Sequence, residues 1–193
     1  MLTSFPLTPE RFADAEAVFR DCGNAAKCWC AYWYLPNADY KVGWGEANAR
    51  WFKGLVETGP PPGFVAYADG EPAAWCSVAP RRNFDRLNRS RPFAPVDETP
   101  LKDDAVWSIN CFVVAKRFRR QGLMRSLIRE AEAHAARQGA RIVEAYPVDM
   151  AATAARRGSG DLYTGTFNAF LAEGFSEVAR RLPTRPIVRK QVG

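Results

Sequence analysis

The sequence is poor in the residues that build common metal sites. Its 193 residues include one histidine, His134, and five cysteines with no Cys-x-x-Cys pair. Structural zinc sites take four ligands from Cys and His at such spacings, so we expect no metal. Cys28 and Cys30 lie too close in sequence for an easy disulfide, and we therefore expect free thiols.

Long apolar runs are also missing. No run approaches the roughly 20 residues that cross a bilayer, so we expect no membrane contact. The first ten residues, MLTSFPLTPE, lack the basic and apolar regions of a signal peptide. These absences lead us to expect a cytoplasmic protein.

The composition is that of a globular chain. Hydrophobic residues make up 47% and charged residues 25% of it, which is enough apolar material for a full core. We expect one domain over residues 1–193. Lys and Arg outnumber Asp and Glu by 27 to 21, and the basic residues concentrate at 116–129 and 180–190. A uniformly basic surface would suggest a nucleic-acid partner, so the distribution of the basic residues matters more than their excess.

Apolar periodicity and turn residues predict an α/β domain with a mixed sheet. Helices are predicted over 9–21, 45–57 and 163–173, and a fourth ends at Gly139. Asp69-Gly70 predicts a hairpin between two apolar runs. Residues 105–114 are apolar and rich in β-branched side chains, which predicts a central strand that is covered on both faces. Further strands are predicted over 140–148 and in the two final apolar segments.

One junction indicates chemistry. Residues 111–127 run from a buried strand through a short basic turn into a helix, with Gly122 at the helix start. Free backbone N–H groups and the helix dipole make such a turn an anion site, and Gly122 lets a phosphate approach the backbone. The alternative is a solvated basic helix start. The turn is neither a Walker A nor a Rossmann loop, since it has one glycine and no Gly-Lys-Ser/Thr.

The turn resembles the acetyl-CoA loop of the GCN5-related N-acetyltransferases, the GNAT superfamily. That loop reads Arg/Gln-x-x-Gly-x-Gly/Ala, and here it stands as Arg119-Arg120-Gln121-Gly122-Leu123-Met124, with Met124 departing from the pattern. Residues 167–175, FNAFLAEGF, resemble the closing helix and the Gly-Phe strand entry of the family. The resemblance covers about residues 2–190. It implies a mixed, mostly antiparallel sheet of about seven strands flanked by helices.

The resemblance also implies the cofactor contacts. Acetyl-CoA would be the co-substrate, and its pyrophosphate would lie on the amides of 119–124. Its pantetheine arm would pair with the backbone of the central strand as an added strand. The residues assigned to these contacts are Phe112, Val113, Val114, Arg119, Arg120, Gln121, Gly122, Leu123, Met124, Arg125 and Phe170. This role explains the first basic cluster, so we expect no nucleic-acid partner.

The reaction needs a neutral amine and a protonated leaving group. Alkylamines have pKa values near 10, so a base must remove a proton before attack on the thioester. The resemblance implies that the backbone N–H of Val113 or its neighbour stabilises the oxyanion. A tyrosine on the last helix commonly protonates the thiolate in this family, but Phe170 stands at that position. Tyr163 and Tyr146 are the substitutes, with a structural role as the alternative.

The candidate base is Glu144. It lies inside an apolar run, so it must be paired or face the site, and a salt bridge is the alternative to catalysis. Ser108 stands where some relatives carry a strand glutamate. His134 lies in the apolar phase of its helix, which favours a core histidine.

The acceptor side is assigned to an aromatic stretch. Trp29 and Trp33 lie four residues apart, so on a helix they would share one face and form one wall of a pocket. Burial in the core is the alternative. Ser108 and Asn110 of the central strand are predicted to line the same pocket. The aromatic residues assigned to this stretch are Trp29, Tyr32, Trp33, Tyr34, Trp44 and Trp51.

The acceptor is expected to be a small-molecule amine, with an amino sugar of an aminoglycoside-type antibiotic as the first choice. Such a polycation needs a locally acidic pocket. The acids available are Asp97, Glu98, Glu144, Asp149 and Asp161. The alternatives are a protein or peptide amine and a CoA-binding domain without catalysis. A homodimer is a further expectation.

Overall fold

Seven strands form one mixed sheet in the order β1-β2-β3-β4-β5-β7-β6. The computed structural model describes residues 2–96, 103–152 and 161–193. The strands are β1 (Leu2–Pro6), β2 (Gly63–Ala68), β3 (Glu71–Pro80), β4 (Val106–Val114), β5 (Ile142–Ala145), β6 (Ser176–Leu182) and β7 (Arg185–Gln191). All neighbouring pairs are antiparallel except β4 and β5. The predicted fold class is therefore confirmed.

Helices cover both faces of this sheet. They are α1 (Phe12–Arg20), α2 (Ala25–Cys28), α3 (Asn37–Val42), α4 (Glu46–Thr58), α5 (Asp85–Asn88), α6 (Leu123–Arg137) and α7 (Phe167–Leu171). On one face, α1 and α4 bury Phe19 and Phe52 against Trp75 of β3. On the other face, α6 and α7 bury Leu127 and Phe170. Burying both faces explains why β4 is apolar along its whole length.

A third cluster of buried side chains lies where the central strands meet the loops that precede α3 and β4. It contains Trp33, Phe84, Phe93, Tyr146 and Ile187. Phe93 and Tyr146 have ring centroids 5.0 Å apart. This cluster covers the polar residues of β4 and β5 that are described below.

Several predicted elements differ from the observed ones at their ends. The strand predicted over 140–148 is β5, which ends at Ala145, and Pro147 has no N–H with which to extend the ladder. The helix predicted over 163–173 begins only at Phe167, because Gly165 has a φ of 80°. The edge strand β1 was missed, since five residues ending in a proline carry too little periodicity. The Asp69-Gly70 hairpin is confirmed, with φ of 51° and 84° at its two turn residues.

The five cysteines are all free thiols. Among the residues described, no three or more His, Cys, Asp or Glu side chains are grouped to hold a metal ion. None of the helices in the described ranges combines the length and apolar composition that a bilayer crossing needs.

Candidate functional site

The pairing of β4 changes in the middle of the strand. Ser77 of β3 lies opposite Cys111 and Val78 lies opposite Ile109, so Asn110 is an extra residue without a partner, which is a β-bulge. Pairing between β4 and β5 stops at Ile109. The part of β4 that follows, Asn110–Val114, is therefore left without a strand partner on the β5 side, and we call that side the open edge.

A second segment of the chain lies along this open edge. We define the strap as residues 162–166, which lead into α7. The N–H of Phe112 donates to the carbonyl of Tyr163 at 2.6 Å. Thr166 forms a parallel bridge with Val148, and the N–H of Val148 donates to the carbonyl of Gly165 at 3.0 Å. The strap thus lies between the diverging ends of β4 and β5.

Two side chains bind further backbone groups of the same stretch. The indole Nε1 of Trp33 donates to the carbonyl of Asn110 at 3.1 Å. The Nε of Arg119 donates to the carbonyl of Val114 at 2.8 Å. Successive residues of a strand direct their N–H groups to opposite edges, so the N–H of Val113 is directed to β3 while that of Phe112 is directed to the open edge.

The turn before α6 has the geometry of an anion site. Arg120 and Gly122 both have left-handed backbone, with φ of 63° and 76°, and Gly122 is the N-cap of the 15-residue helix α6. A Cβ built on Gly122 would meet no heavy atom within 4 Å, so the space above the turn is open. The first turn of a helix has N–H groups without intrahelical partners, and these are available to a phosphate.

The basic side chains around this turn have different partners. Arg125 forms an ion pair with Glu173 at 2.5 Å, and Gln121 donates to the carbonyl of Arg117 at 2.9 Å. Arg120 is exposed beside the turn. Of the three arginines expected to neutralise phosphate, two are therefore engaged with the protein in this structure, namely Arg119 and Arg125.

Apolar side chains connect this turn with the strap. Phe170 is fully buried, and its ring centroid lies 6.2 Å from that of Phe112. A Cβ on Gly165 would lie 2.8 Å from Phe170 and 3.5 Å from the sulfur of Met124. The strap, α7 and the start of α6 are thus in tight contact. Leu123 is the first residue of α6.

Glu144 lies in a buried network of charges. Its carboxylate is 3.4 Å from an Arg81 nitrogen and 2.6 Å from Nε of Arg189, and the hydroxyl of Tyr146 also donates to it. The side chains of Glu144 and Arg81 are 1% and 4% exposed, so water cannot screen the pair. Glu144 is therefore a salt-bridge partner here, and its catalytic role stays a prediction.

Two of the predicted acceptor-side residues lie next to this network. Ser108 lies opposite Glu144 in the β4–β5 ladder, and its hydroxyl donates to Oδ1 of Asn110 at 3.0 Å. Burial raises the pKa of Tyr146 and also that of Tyr163, so both hydroxyls keep their protons at neutral pH. The structure thus brings Ser108, Asn110, Glu144 and Tyr146 together.

The prediction that Trp29 and Trp33 share one face of a helix is wrong. α2 ends at Cys28, and Trp29 and Cys30 follow with left-handed φ of 49° and 52°. Both tryptophans are 4% exposed but lie in different clusters. Trp29 packs against Phe19 at 5.1 Å between ring centroids, on the α1 side. The two rings therefore do not form one wall.

Sequence reasoning missed several arginines on this side of the sheet. Arg86 stacks on the ring of Tyr32 at 4.2 Å, and Arg185 donates to the hydroxyl of Thr164 at 2.8 Å. Arg81, which pairs with Glu144, lies in a segment that reads as a polar loop. Nothing in the sequence distinguishes the buried Arg81 from the exposed Arg82 and Arg89 of the same segment.

His134 lies in the core, as its helical phase predicted. Its ring is 5.8 Å from Trp107 and 6.0 Å from Phe64. Burial lowers its pKa. It lies on the α6 face, away from the residues of the acceptor side.

Comparisons with known proteins agree with this geometry. The model of the acetyltransferase (GNAT) family matches residues 13–157. An acetyltransferase from Thermus thermophilus is 15% identical with a TM-score of 0.54, over 100% of this chain and 97% of that one. A GNAT-family acetyltransferase from Listeria monocytogenes is 11% identical with a TM-score of 0.58, over 99% and 95%.

A further similar structure was solved with a ligand. It is the PaiA N-acetyltransferase from Thermoplasma acidophilum in complex with coenzyme A, which is 11% identical with a TM-score of 0.53, over 99% of each chain. At such identities the likeness to solved structures shows the fold. No curated protein matches this sequence.

Proposed function

This chain belongs to the GNAT family of acetyltransferases, and from that premise we propose that it transfers an acetyl group from acetyl-CoA to the amine of a small molecule. One observation supports the proposal above all. The open edge of β4 leads directly into a glycine turn with free space above it, at the start of a long helix. A strand edge next to a phosphate turn suits a ligand with a peptide-like arm and a pyrophosphate.

The turn fits the pyrophosphate as it stands. The open space above Gly122 would admit phosphate oxygens to the amides of Gly122 and Leu123. Arg120 is exposed beside them, and Arg125 is on the surface although it is paired with Glu173. An exposed ion pair is weak, so a phosphate would compete for Arg125 at small cost.

The open edge fits the pantetheine arm only after the strap moves. The carbonyl of Tyr163 accepts the hydrogen bond from Phe112 that the thioester carbonyl of bound acetyl-CoA would accept. Both bonds cannot be made at once by a single N–H of this geometry. We therefore expect acetyl-CoA to bind with withdrawal of the strap from β4.

The pairing of β4 with its neighbours indicates which backbone N–H would stabilise the oxyanion. The candidates were Val113 and its neighbour. The N–H of that neighbour, Phe112, is directed to the open edge. In the transfer, the amine nitrogen would bond to the thioester carbon, and the N–H of Phe112 would stabilise the oxyanion. The C–S bond would then break, with the sulfur keeping the electron pair as thiolate. The nitrogen would lose its extra proton to water, and the released thiolate would take up a proton from the solvent. A thiol is acidic enough for its thiolate to leave without an adjacent acid, which agrees with the buried Phe170 at the usual tyrosine position.

Catalysis of acetyl transfer is tested by thiol release from acetyl-CoA with a panel of amines. The panel holds amino acids, their amides, simple alkylamines, aminoglycosides and lysine-containing peptides. Release that depends on a small-molecule amine supports the proposal. Release with peptides alone would favour a protein acceptor, and tight acetyl-CoA binding without release would favour a non-catalytic domain.

Three finer expectations remain predictions within this proposal. An aminoglycoside amino sugar is one member of the panel above. The expected homodimer is tested by sedimentation equilibrium of the purified chain. The cytoplasmic location is tested by fractionating cells that express it.

A further inference from the structure

Asn110 lies at the point where the open edge of β4 begins. It is the extra residue of the bulge, with no residue opposite it in β3, and pairing with β5 stops at Ile109, the residue before it. A bulge re-aims the side chain of its extra residue, and bulges are frequent next to active sites. The bulge thus places Asn110 beside the part of the strand along which acetyl-CoA would bind.

The side-chain amide of Asn110 is only half used by the protein. The residue is fully buried, and the hydroxyl of Ser108 donates to its Oδ1 at 3.0 Å. Its Nδ2, which carries two hydrogens, has no hydrogen-bond partner within the described residues. Nearly all buried donors in proteins are hydrogen-bonded, because an unpaired one lowers stability. The amide therefore has a donor to offer to a ligand.

A second buried asparagine shows the ordinary structural use of such an amide. Asn48 is 1% exposed, and its Nδ2 donates to the carbonyl of Tyr40 at 3.2 Å and to that of Lys27 at 3.5 Å. Its donor thereby joins α4 to α2 and α3. Asn110 is as deeply buried as Asn48, yet its Nδ2 joins no two parts of the described structure.

The contacts that hold Asn110 in place are made by uncharged groups. Besides the hydroxyl of Ser108, the indole of Trp33 donates to the carbonyl of Asn110 at 3.1 Å. An amide held in this way recognises an oxygen atom through a hydrogen bond, and the oxygen needs no charge to accept it.

Asn110 also lies close to the proposed reaction centre. It is two residues from the N–H of Phe112, and two residues of a strand span about 6.6 Å. The amine would attack the carbon whose oxygen that N–H stabilises. An oxygen bound by Nδ2 of Asn110 would thus lie within about two or three covalent bonds of the attacking nitrogen.

We propose that Asn110 selects the amine substrate by donating a hydrogen bond from Nδ2 to an oxygen atom that the substrate carries close to its amine. The substrate class is then amines with a neighbouring carbonyl or ether oxygen, and simple alkylamines are poor substrates. This inference rests on the proposed acetyl transfer and names a specificity-determining residue for it. The hydrogen bond forms only with the substrate, which accounts for a buried donor that the protein itself leaves unpaired.

Access to the donor depends on the strap. Tyr163 of the strap packs against the cluster that contains Trp33 and Tyr146, and its ring lies 6.3 Å from that of Tyr32. Since acetyl-CoA is expected to displace the strap from Phe112, the same movement would uncover this side of β4. We therefore expect the amine to bind after acetyl-CoA.

The test uses pairs of amines that share a shape and differ in an oxygen. One pair is 2-methoxyethylamine and butylamine, and the other is glycinamide and isobutylamine. Thiol release from acetyl-CoA is compared at equal concentrations of unprotonated amine, which removes the difference in amine pKa. We expect kcat/KM to be about tenfold higher for the oxygen-containing member of a pair. Equal kcat/KM within both pairs would overturn the inference.

Variants make the test specific to Asn110. Asn110→Leu keeps the branched shape but removes the donor, so the preference within each pair should disappear while butylamine turnover and acetyl-CoA affinity stay the same. Asn48→Leu is the matched control, because it removes a donor that the fold already uses. It should lower the melting temperature and keep the preference. If Asn110→Leu does not fold, Asn110→Ala removes the same donor. A preference that persists in the folded variant would contradict the proposal.

A binding measurement separates this inference from the proposed function. In the spectrum of the amide-labelled protein, the side-chain amide signal of Asn110 is the one that Asn110→Leu lacks. With CoA bound, glycinamide should shift this signal and isobutylamine should not. A shift without thiol release in the transfer assay would support the hydrogen bond and remove the acetyl transfer. Release without a preference within the pairs would keep the transfer and remove the role of Asn110. Saturating amounts of both oxygen-containing amines that leave the signal unshifted would also overturn the inference.

Discussion

The turn before α6 and the buried charge network around Glu144 are built in opposite ways. The turn is an exposed backbone feature with empty space above Gly122. In the network, the buried Glu144 is held by Arg81, Arg189 and Tyr146. Backbone amides in an open turn bind an anion while contributing little to stability. Removing one partner of a buried ion pair leaves a buried charge without compensation and is strongly destabilising. We conclude that cofactor binding at the turn and the stability provided by the network can be changed separately.

The largest expected effect is on stability, through the buried network around Glu144. Glu144→Gln removes the carboxylate that lies between two buried guanidinium groups, and we expect it to lower the free energy of unfolding by about 3–5 kcal/mol. Glu46→Gln is the control, since the Glu46–Arg50 pair is exposed and 3.6 Å long, and it should leave stability unchanged. Urea unfolding measures both. An unchanged midpoint for Glu144→Gln would contradict a structural role for the network.

The next effect concerns the contact between Trp33 and β4. Trp33→Phe keeps an aromatic ring but leaves the carbonyl of Asn110 without its donor, and we expect a loss of about 1–3 kcal/mol. Trp44→Phe is the control, because Trp44 is 43% exposed. Thermal melts of both variants are the measurement. If the two variants melt alike, the indole hydrogen bond does not stabilise the open edge.

A pair of glycines compares the turn with the opposite end of the same helix. Gly122 and Gly139 flank α6 with φ of 76° and 86°, and a Cβ on either meets no heavy atom within 4 Å. Valine at either position should therefore cost a similar roughly 1–2 kcal/mol of backbone strain. Acetyl-CoA should stabilise Gly139→Val as it does the parent and fail to stabilise Gly122→Val. Equal stabilisation of both variants by acetyl-CoA would show that the turn at Gly122 does not bind the pyrophosphate.

The smallest effect is a pH dependence on the α6 face. Burial lowers the pKa of His134, whereas in the unfolded chain it is near 6.5. The unfolded state thus takes up the proton first, so the free energy of unfolding should fall as pH drops below about 6.5, by at most about 1.4 kcal/mol per pH unit. His134→Gln should lose this slope between pH 7.5 and 5.5. Identical profiles for parent and variant would show that another group titrates there.

The turn could be predicted from the sequence because its signals are local. Gly122, the arginines before it and the apolar run on either side lie within one short segment. The hairpin at Asp69-Gly70 and the central strand were predictable for the same reason. Each depends on the conformation of neighbouring residues and on little else.

The acceptor side could not be predicted because it depends on residues far apart in sequence. Left-handed backbone at Trp29 and Cys30 is uncommon for such residues and has no local signal. The ion pair of Arg81 with Glu144 requires the sheet to bring together positions 63 residues apart (144 − 81). The bulge at Asn110 and the strap over Phe112 likewise exist only once β3, β4 and α7 are in place.

The central claim is that acetyl-CoA binds along the open edge of β4 and on the turn before α6. It is tested most directly by titrating the amide-labelled protein with acetyl-CoA and following backbone resonances. The account predicts large shifts for the amides of Phe112, Gly122 and Leu123, and for Tyr163 as the strap withdraws, with Gly139 unmoved. Saturating acetyl-CoA that leaves Phe112 and Gly122 unshifted would contradict it.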